Sequence, residues 1–155
     1  MEQSAPVKPL KTAAALVKEK RILESALLLF SQRGFHGTAV PEVAKHAEVG
    51  AGTIYRYFEN KEDLVNAVFR HSKNKLKQYL LSGVQVNAEL RDVFHQFWRQ
   101  LVRFAQENPT DFHFLELQDH APYLDQTSKQ LELEVLTPIW MFCVQGRKQG
   151  VVRDM

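Results

Sequence analysis

Apolar residues along this chain recur three and four positions apart and nowhere alternate for long, so the pattern predicts helices and no sheet. Ile22, Leu23, Ala26, Leu27, Leu29 and Phe30 share one broad face, with Lys20, Arg21 and Glu24 elsewhere, which predicts a first helix from Thr12 or Val17 to Arg33. Gly34 can close it in the left-handed conformation, with Phe35 packing back on the last turn. "AVPEVAKHA" follows as a helix too short to stand alone. Pro41 sits in its first turn, where the missing amide had no helical partner, and Glu42 favours the dipole there. "EVG" breaks the run and "AGTIYRYF" predicts another short helix. Asn60 then caps a long helix, with Asp63 as the reciprocal acid, that carries Leu64, Val65, Val68, Phe69, Leu76, Leu80 and Leu81. Two helices of about two turns joined by three residues and clamped between longer helices form a helix-turn-helix.

The second half predicts a helix from about Leu90 to Asn108, ended by Pro109, then "TDFHFLELQDHA", ended by Pro122. "TSKQLELEVLTPIWMFCVQGRKQG" opens on a Thr127/Ser128 cap and closes at Gly146 or Gly150. Pro138 inside it leaves the carbonyl of Glu134 without a donor and predicts a kink. The expected fold is all-α. A flexible tail (1–11) precedes a three-helix helix-turn-helix domain (12–60), and a helical regulatory domain (61–155) opens on a linker helix (61–82).

Composition narrows the class. With 155 residues, 45% hydrophobic and 25% charged, the chain fits one globular unit. No run of about 18 apolar residues spans a membrane, and the N-terminus lacks the apolar block of a secretory signal, so the expected location is cytoplasmic. The single cysteine, Cys143, has no internal partner and lies in "IWMFCV", which reads as a buried core thiol. Residues 1–82 hold 13 Lys and Arg against 8 Asp and Glu, net +5, while residues 83–155 hold 7 against 10, net −3. A basic front half suits an anionic partner, although uneven surface charge alone would give the same counts.

Catalytic chemistry has little to stand on. The histidines at 36, 46, 71, 95, 113 and 120 include no i, i+4 pair. His113 and Glu116 are three apart, a spacing common by chance. No phosphate-cradling glycine loop or nucleophile elbow is present, so no enzyme activity, metal or cofactor is expected.

The helix-turn-helix is more specific. Val49, Ile54 and Phe58 supply buried positions, which leaves Ala51, Gly52, Thr53, Tyr55, Arg56 and Tyr57 for the outward face. Backbone amides at the helix start suit a phosphate. Arg56 can reach a phosphate or a guanine edge, and the tyrosine hydroxyls can donate to phosphate oxygens. Lys61 begins the next helix and points at the same backbone.

These residues carry a resemblance. "GFHGTAVPEVAKHAEVGAGTIYRYFENKEDL" resembles the DNA-binding module of the tetracycline-repressor (TetR) family, whose pattern runs G-[FY]-x-x-T-[ST]-[VIM]-x-x-[IV]-A-x-x-A-G-V-S-x-G-[TS]-[LIF]-Y-x-Y-F-x-x-K-[ED]-x-L. The likeness covers roughly residues 18–70, and "GRKQGVVRD" is similar to the end of the family's seventh helix. It implies a dimeric regulator of repressor type that binds a palindromic double-stranded operator and is released by a small hydrophobic effector. The implied DNA contacts fall on Thr38, Ala51, Gly52, Thr53, Tyr55, Arg56, Tyr57 and Lys61. It also implies two further helices beyond Met155 that form a bundle between the subunits of a homodimer. Three departures bear on the site. Ala39 removes a cap and a phosphate ligand unless Thr38 substitutes. Glu48 replaces the turn glycine, at about 1 kcal/mol of strain if φ is positive. Gly50 caps with no side-chain contact.

The back half is rich in large apolar groups. An aromatic-lined effector pocket would draw on Phe94, Trp98, Leu101, Phe114, Leu117 and Trp140 for walls, with His113, Glu116, Gln118 or His120 as sparse polar groups. A plain helix-bundle core would use the same residues. Two other functions stay open on sequence alone: DNA binding without an effector, and a helical protein-interaction module.

Overall fold

The computed structural model describes residues 12–83 and 89–150. The expected tail (1–11) and most of "GVVRD" lie outside them. Among the described residues there are seven helices and no strand: α1 (Ala13–Arg33), α2 (Val40–His46), α3 (Ala51–Ile54), α4 (Lys61–Leu81), α5 (Leu90–Glu107), α6 (Pro109–Leu117) and α7 (Gln126–Lys148).

Helix ends follow the local chemistry. Thr12 caps α1, its hydroxyl accepting from Ala15 N, and Gly34 ends it at φ 67°. Phe35 then stacks on Phe30, 6.3 Å between centroids. Pro109 ends α5 and supplies the first residue of α6, where its missing amide has no consequence. Two expected ends are corrected. The last helix is capped by Asp125, whose carboxylate accepts from Ser128 N at 2.7 Å, so Thr127 and Ser128 lie inside its first turn. α6 stops at Leu117, well short of Pro122, because Gln118 turns to extended backbone and the chain leaves for the front of the molecule.

α4 is the common support. It packs on α1, α5, α6 and α7, and Leu64, Val65, Val68 and Phe69 are all buried. One continuous apolar cluster runs from Ile22 and Phe30 through this face to Phe104, Phe114 and Val135. The helix-turn-helix and the back half therefore share a core. Polar groups inside it are mostly paired. Asp111 accepts from Lys75 Nζ at 2.8 Å, and the nearly buried Lys73 stands 3.7 Å from Glu132. His120 is buried against the Phe114 ring, 4.1 Å between centroids, and its Nε2 meets the Phe114 carbonyl. Burial pushes its pKa below the ordinary histidine value despite that hydrogen bond, and so favours the neutral ring.

The outer faces of α5 and α7 depart from expectation. Cys143 is exposed, as are Phe94, Trp98, Ile139, Trp140 and Met141. α7 continues through Pro138, and Thr137 Oγ1 donates to the Leu133 carbonyl one position away from the orphaned Glu134 carbonyl.

The turn between α1 and α2 is tight enough to exclude a side chain. A Cβ on Gly37 would lie 2.3 Å from the Arg33 carbonyl oxygen. Gly37→Ala is expected to lower the unfolding free energy by about 1–3 kcal/mol, read from urea melts of the two proteins.

Candidate nucleic-acid interface

The interface is built on α2 and α3, neither long enough to persist alone. α2 is fixed at both ends by long-range bonds. At its start, Ala39 offers no cap. Glu42 accepts the Ala39 amide at 3.1 Å, and Arg33 Nη1 donates to the same carboxylate at 3.1 Å. That amide, assisted by Arg33, holds the Glu42 carboxyl below the usual glutamate value. Thr38 does not replace the missing cap. It is 1% exposed, and its hydroxyl faces inward, 3.1 Å from Leu29 O and 3.0 Å from Gly34 O. It ties the α1 end to the α2 start from behind the interface.

The end of α2 is a Schellman closure. Glu48 N donates to Lys45 O and Val49 N to Ala44 O, which puts Glu48 at the position that favours glycine. Its φ is 53°, the strained option of the two the sequence left open. Arg21 on α1 compensates. Its Nη2 donates to Glu48 Oε2 at 2.7 Å and to Ala47 O at 2.9 Å, so the turn that sets the angle between α2 and α3 is bolted to the long first helix.

The reading element is shorter than its sequence suggests. α3 is one turn, begun by Gly50 without a side-chain cap. The chain then continues in tightened turns, Arg56 N donating to Thr53 O and Tyr57 N to Ile54 O. Ile54 and Phe58 are buried and anchor it. Ala51, Gly52, Tyr55 and Arg56 are exposed, while Thr53 and Tyr57 are half-buried. A Cβ on Gly52 would meet nothing within 4 Å, so the protein itself does not require glycine there. Its missing side chain leaves that much more open space on the outer side. Arg56 has no ion-pair partner among the described residues.

Lys61 opens α4 behind the Asn60 cap, which accepts from Asp63 N at 2.8 Å. The returning Asp63 bond lands on the Glu59 amide at 3.1 Å, one residue earlier than expected. Lys61 Nζ lies over the Phe35 ring at 4.3 Å. The opposite side of that contact was not visible in the sequence. Tyr123, in the segment after α6, stacks on Phe35 with centroids 4.0 Å apart, and its hydroxyl is 2.7 Å from His36 Nε2. Asn66 on α4 fixes this segment by donating to Tyr123 O at 2.7 Å and accepting from Asp125 N at 2.9 Å. Arg70 joins Asp125 and Ser128 to the same helix. Only the long-range fold puts residues so far apart in sequence together, and no local signal marks Tyr123.

Comparison with known proteins decides the family. Residues 22–68 match the tetR family of bacterial regulatory proteins, and residues 69–155 match the tetracyclin repressor-like C-terminal domain. The chain belongs to the tetR family. The two matched segments of this tetR-family chain meet between Val68 and Phe69, in the middle of α4. A helix-turn-helix-type transcriptional regulator of Haemophilus influenzae is 26% identical over 137 residues, 88% of this chain and 71% of that protein. The crystal structure of a tetR family transcription regulator from Shewanella has a TM-score of 0.76 at 29% identity, covering 89% of this chain and 74% of that one. AibR, solved in complex with isovaleryl coenzyme A and operator DNA, shares the fold with a TM-score of 0.73 at 22% identity, covering 89% of this chain and 76% of its own. This tetR-family chain is a helix-turn-helix transcriptional regulator.

The six residues considered for effector walls are not gathered around one cavity. Phe114 is fully buried in the core, Leu101 is half-buried, and Phe94, Trp98, Leu117 and Trp140 are exposed. An apolar cavity of about 150 Å³ lies instead between α4, α5 and α7, lined by Leu80, Leu81, Phe97, Val135, Pro138 and Ile139. The Lys77–Glu134 ion pair, 2.9 Å, stands at its edge. Among the described residues no cluster of three or more His, Cys, Asp or Glu could hold a metal ion. No helix there is long and apolar enough to cross a membrane.

The Tyr123 contact separates into two parts. Tyr123→Phe keeps the stack and removes the bond to His36, for an expected loss of about 0.5–1.5 kcal/mol. Tyr123→Ala removes both and should lose at least a further 0.5–1.5 kcal/mol. Urea unfolding of both variants checks the order.

Proposed function

We propose that this regulator binds a palindromic operator as a homodimer, acts as a repressor in the cytoplasm without catalysing a reaction, and is released by a small hydrophobic effector. The observation that carries the reading is the outward face of the reading element. Gly52 leaves clearance, Tyr55 and Arg56 are exposed, and Arg56 has no partner within the described protein. Ala51, Gly52, Thr53, Tyr55, Arg56 and Tyr57 form the contact surface, and Lys61 joins it from the start of α4. Thr38 supports this surface from behind. The apolar groups on the outer side of α5 and α7, Trp98 and Trp140 among them, support association with a second copy.

The effector seat we favour is the cavity between α4, α5 and α7. An apolar cavity of this size takes a benzene-sized group, and the ligand seen with AibR supports a short branched acyl group as one candidate. A ligand that wedges α7 away from α4 would pull on Asp125 and Tyr123, and through them on Phe35 and Lys61.

Two measurements test the reading. With a duplex selected on the protein from a random-sequence library, Arg56→Ala is expected to weaken binding by about 1–3 kcal/mol if the guanidinium reads a base. Unchanged affinity would remove Arg56 from the interface. For the effector, isovaleryl coenzyme A is expected to raise the melting temperature and release the duplex. Val135→Phe, which fills the cavity, should abolish both responses while leaving duplex affinity within about twofold.

A further inference from the structure

A groove beside the reading element shares one wall with the contact surface proposed above, while its other wall, on α1, has no part in the function described so far. α1 begins nine residues before its first fully buried side chain, Ile22, so its opening turns reach beyond the three-helix core with Leu16 and Val17 exposed. At about 1.5 Å per residue this overhang is roughly 14 Å long. Together with the reading element it encloses a half-open groove of about 480 Å³. Thr12, Ala14 and Lys18 form one wall, and Thr53, Arg56 and Tyr57 the other.

The charge pattern gives the groove its chemistry. The other cations of α1 are neutralised inside the protein: Lys20 by Glu24, Arg21 by Glu48, and Arg33 by Glu42. Among the described residues Lys18 and Arg56 have no such partner, they face one groove from opposite walls, and none of the groove's described lining residues is a carboxylate. Two unneutralised cations converging on an open groove favour an anion between them. The alanine wall lets that anion approach closely, and the Thr53 hydroxyl is there to donate to it. Because Thr53 and Arg56 also belong to the reading face, a strand lying along that face runs directly into the groove. This continuity favours a polymer strand over a free small anion.

We propose that the groove seats the sugar–phosphate backbone of one operator strand, with Lys18 a phosphate contact outside the helix-turn-helix itself. The proposal rests on the DNA-binding reading above. A contact of this kind fixes register and adds affinity but reads no base.

The test compares wild type, Lys18→Ala, Arg56→Ala and Lys129→Ala by fluorescence anisotropy, on the selected duplex and on a scrambled duplex of equal length, over a range of salt. Lys18 is exposed and alanine suits a helix, so folding is not at issue. Lys18→Ala should weaken both duplexes by the same factor and reduce the slope of log K against log salt by about 1. Between about 50 and 200 mM salt the wild type then loses roughly 3.5-fold more affinity than the variant. Lys129→Ala, on α7, should match wild type. If Lys18→Ala keeps the wild-type affinity and slope while Arg56→Ala is weakened, the groove is not a backbone site and the DNA-binding reading survives. A loss in Lys129→Ala equal to that in Lys18→Ala would trace the effect to net charge and overturn the groove. Failure of the wild type to bind either duplex at low salt removes both proposals together.

Discussion

A reading helix of one turn cannot hold itself together, since its few hydrogen bonds do not offset the entropy of ordering it. Everything at the front of this molecule follows from that constraint. Ile54 and Phe58 hold α3 by being buried in the apolar core, against α2. α2 is held by Glu42 and Thr38 at one end and by the Arg21–Glu48 tie at the other. The strained backbone at Glu48 persists because α1 over-determines the turn around it. The inward residues and the flanking helices carry the stability, and Tyr55 and Arg56 are left exposed.

The same dependence links the two halves. α4 packs on α1, α5, α6 and α7 and contributes to the one apolar cluster that both halves share. A second connection runs outside the apolar core. Asp125 and Tyr123 are fastened to α4 through Asn66 and Arg70, and Tyr123 presses on Phe35, whose ring also carries Lys61. Lys61, at the start of α4, is thus two side chains away from the segment that leads into α7.

Charge is distributed to the same end. Most lysines and arginines with a structural role are paired, including Lys75 with the buried Asp111 and Lys77 with Glu134 beside the apolar cavity. The exposed pairs add little stability, but all of them remove positive charge from the sides of the molecule. Lys18 of α1 and Arg56 of the reading element, which have no ion-pair partner among the described residues, are left facing one groove.

Much of this was legible in the sequence wherever cause and effect are local. The Gly34 closure, the Asn60 cap and the end of α5 at Pro109 all depend on residues within one turn of each other, as does the Thr12 cap, which is one of the two α1 starts the sequence left open. The alternation of buried Ile54 and Phe58 with exposed Tyr55 and Arg56 is equally local, because helical spacing determines which side chains share a face. The tertiary structure decided what distant elements do to one another. It turned Thr38 inward, set φ at Glu48, brought Tyr123 onto Phe35, and left Trp98, Trp140 and Cys143 on an outer face that hydrophobicity alone placed inside. Periodicity reports that a helix has an apolar side. Only the packing of whole helices determines what lies against it.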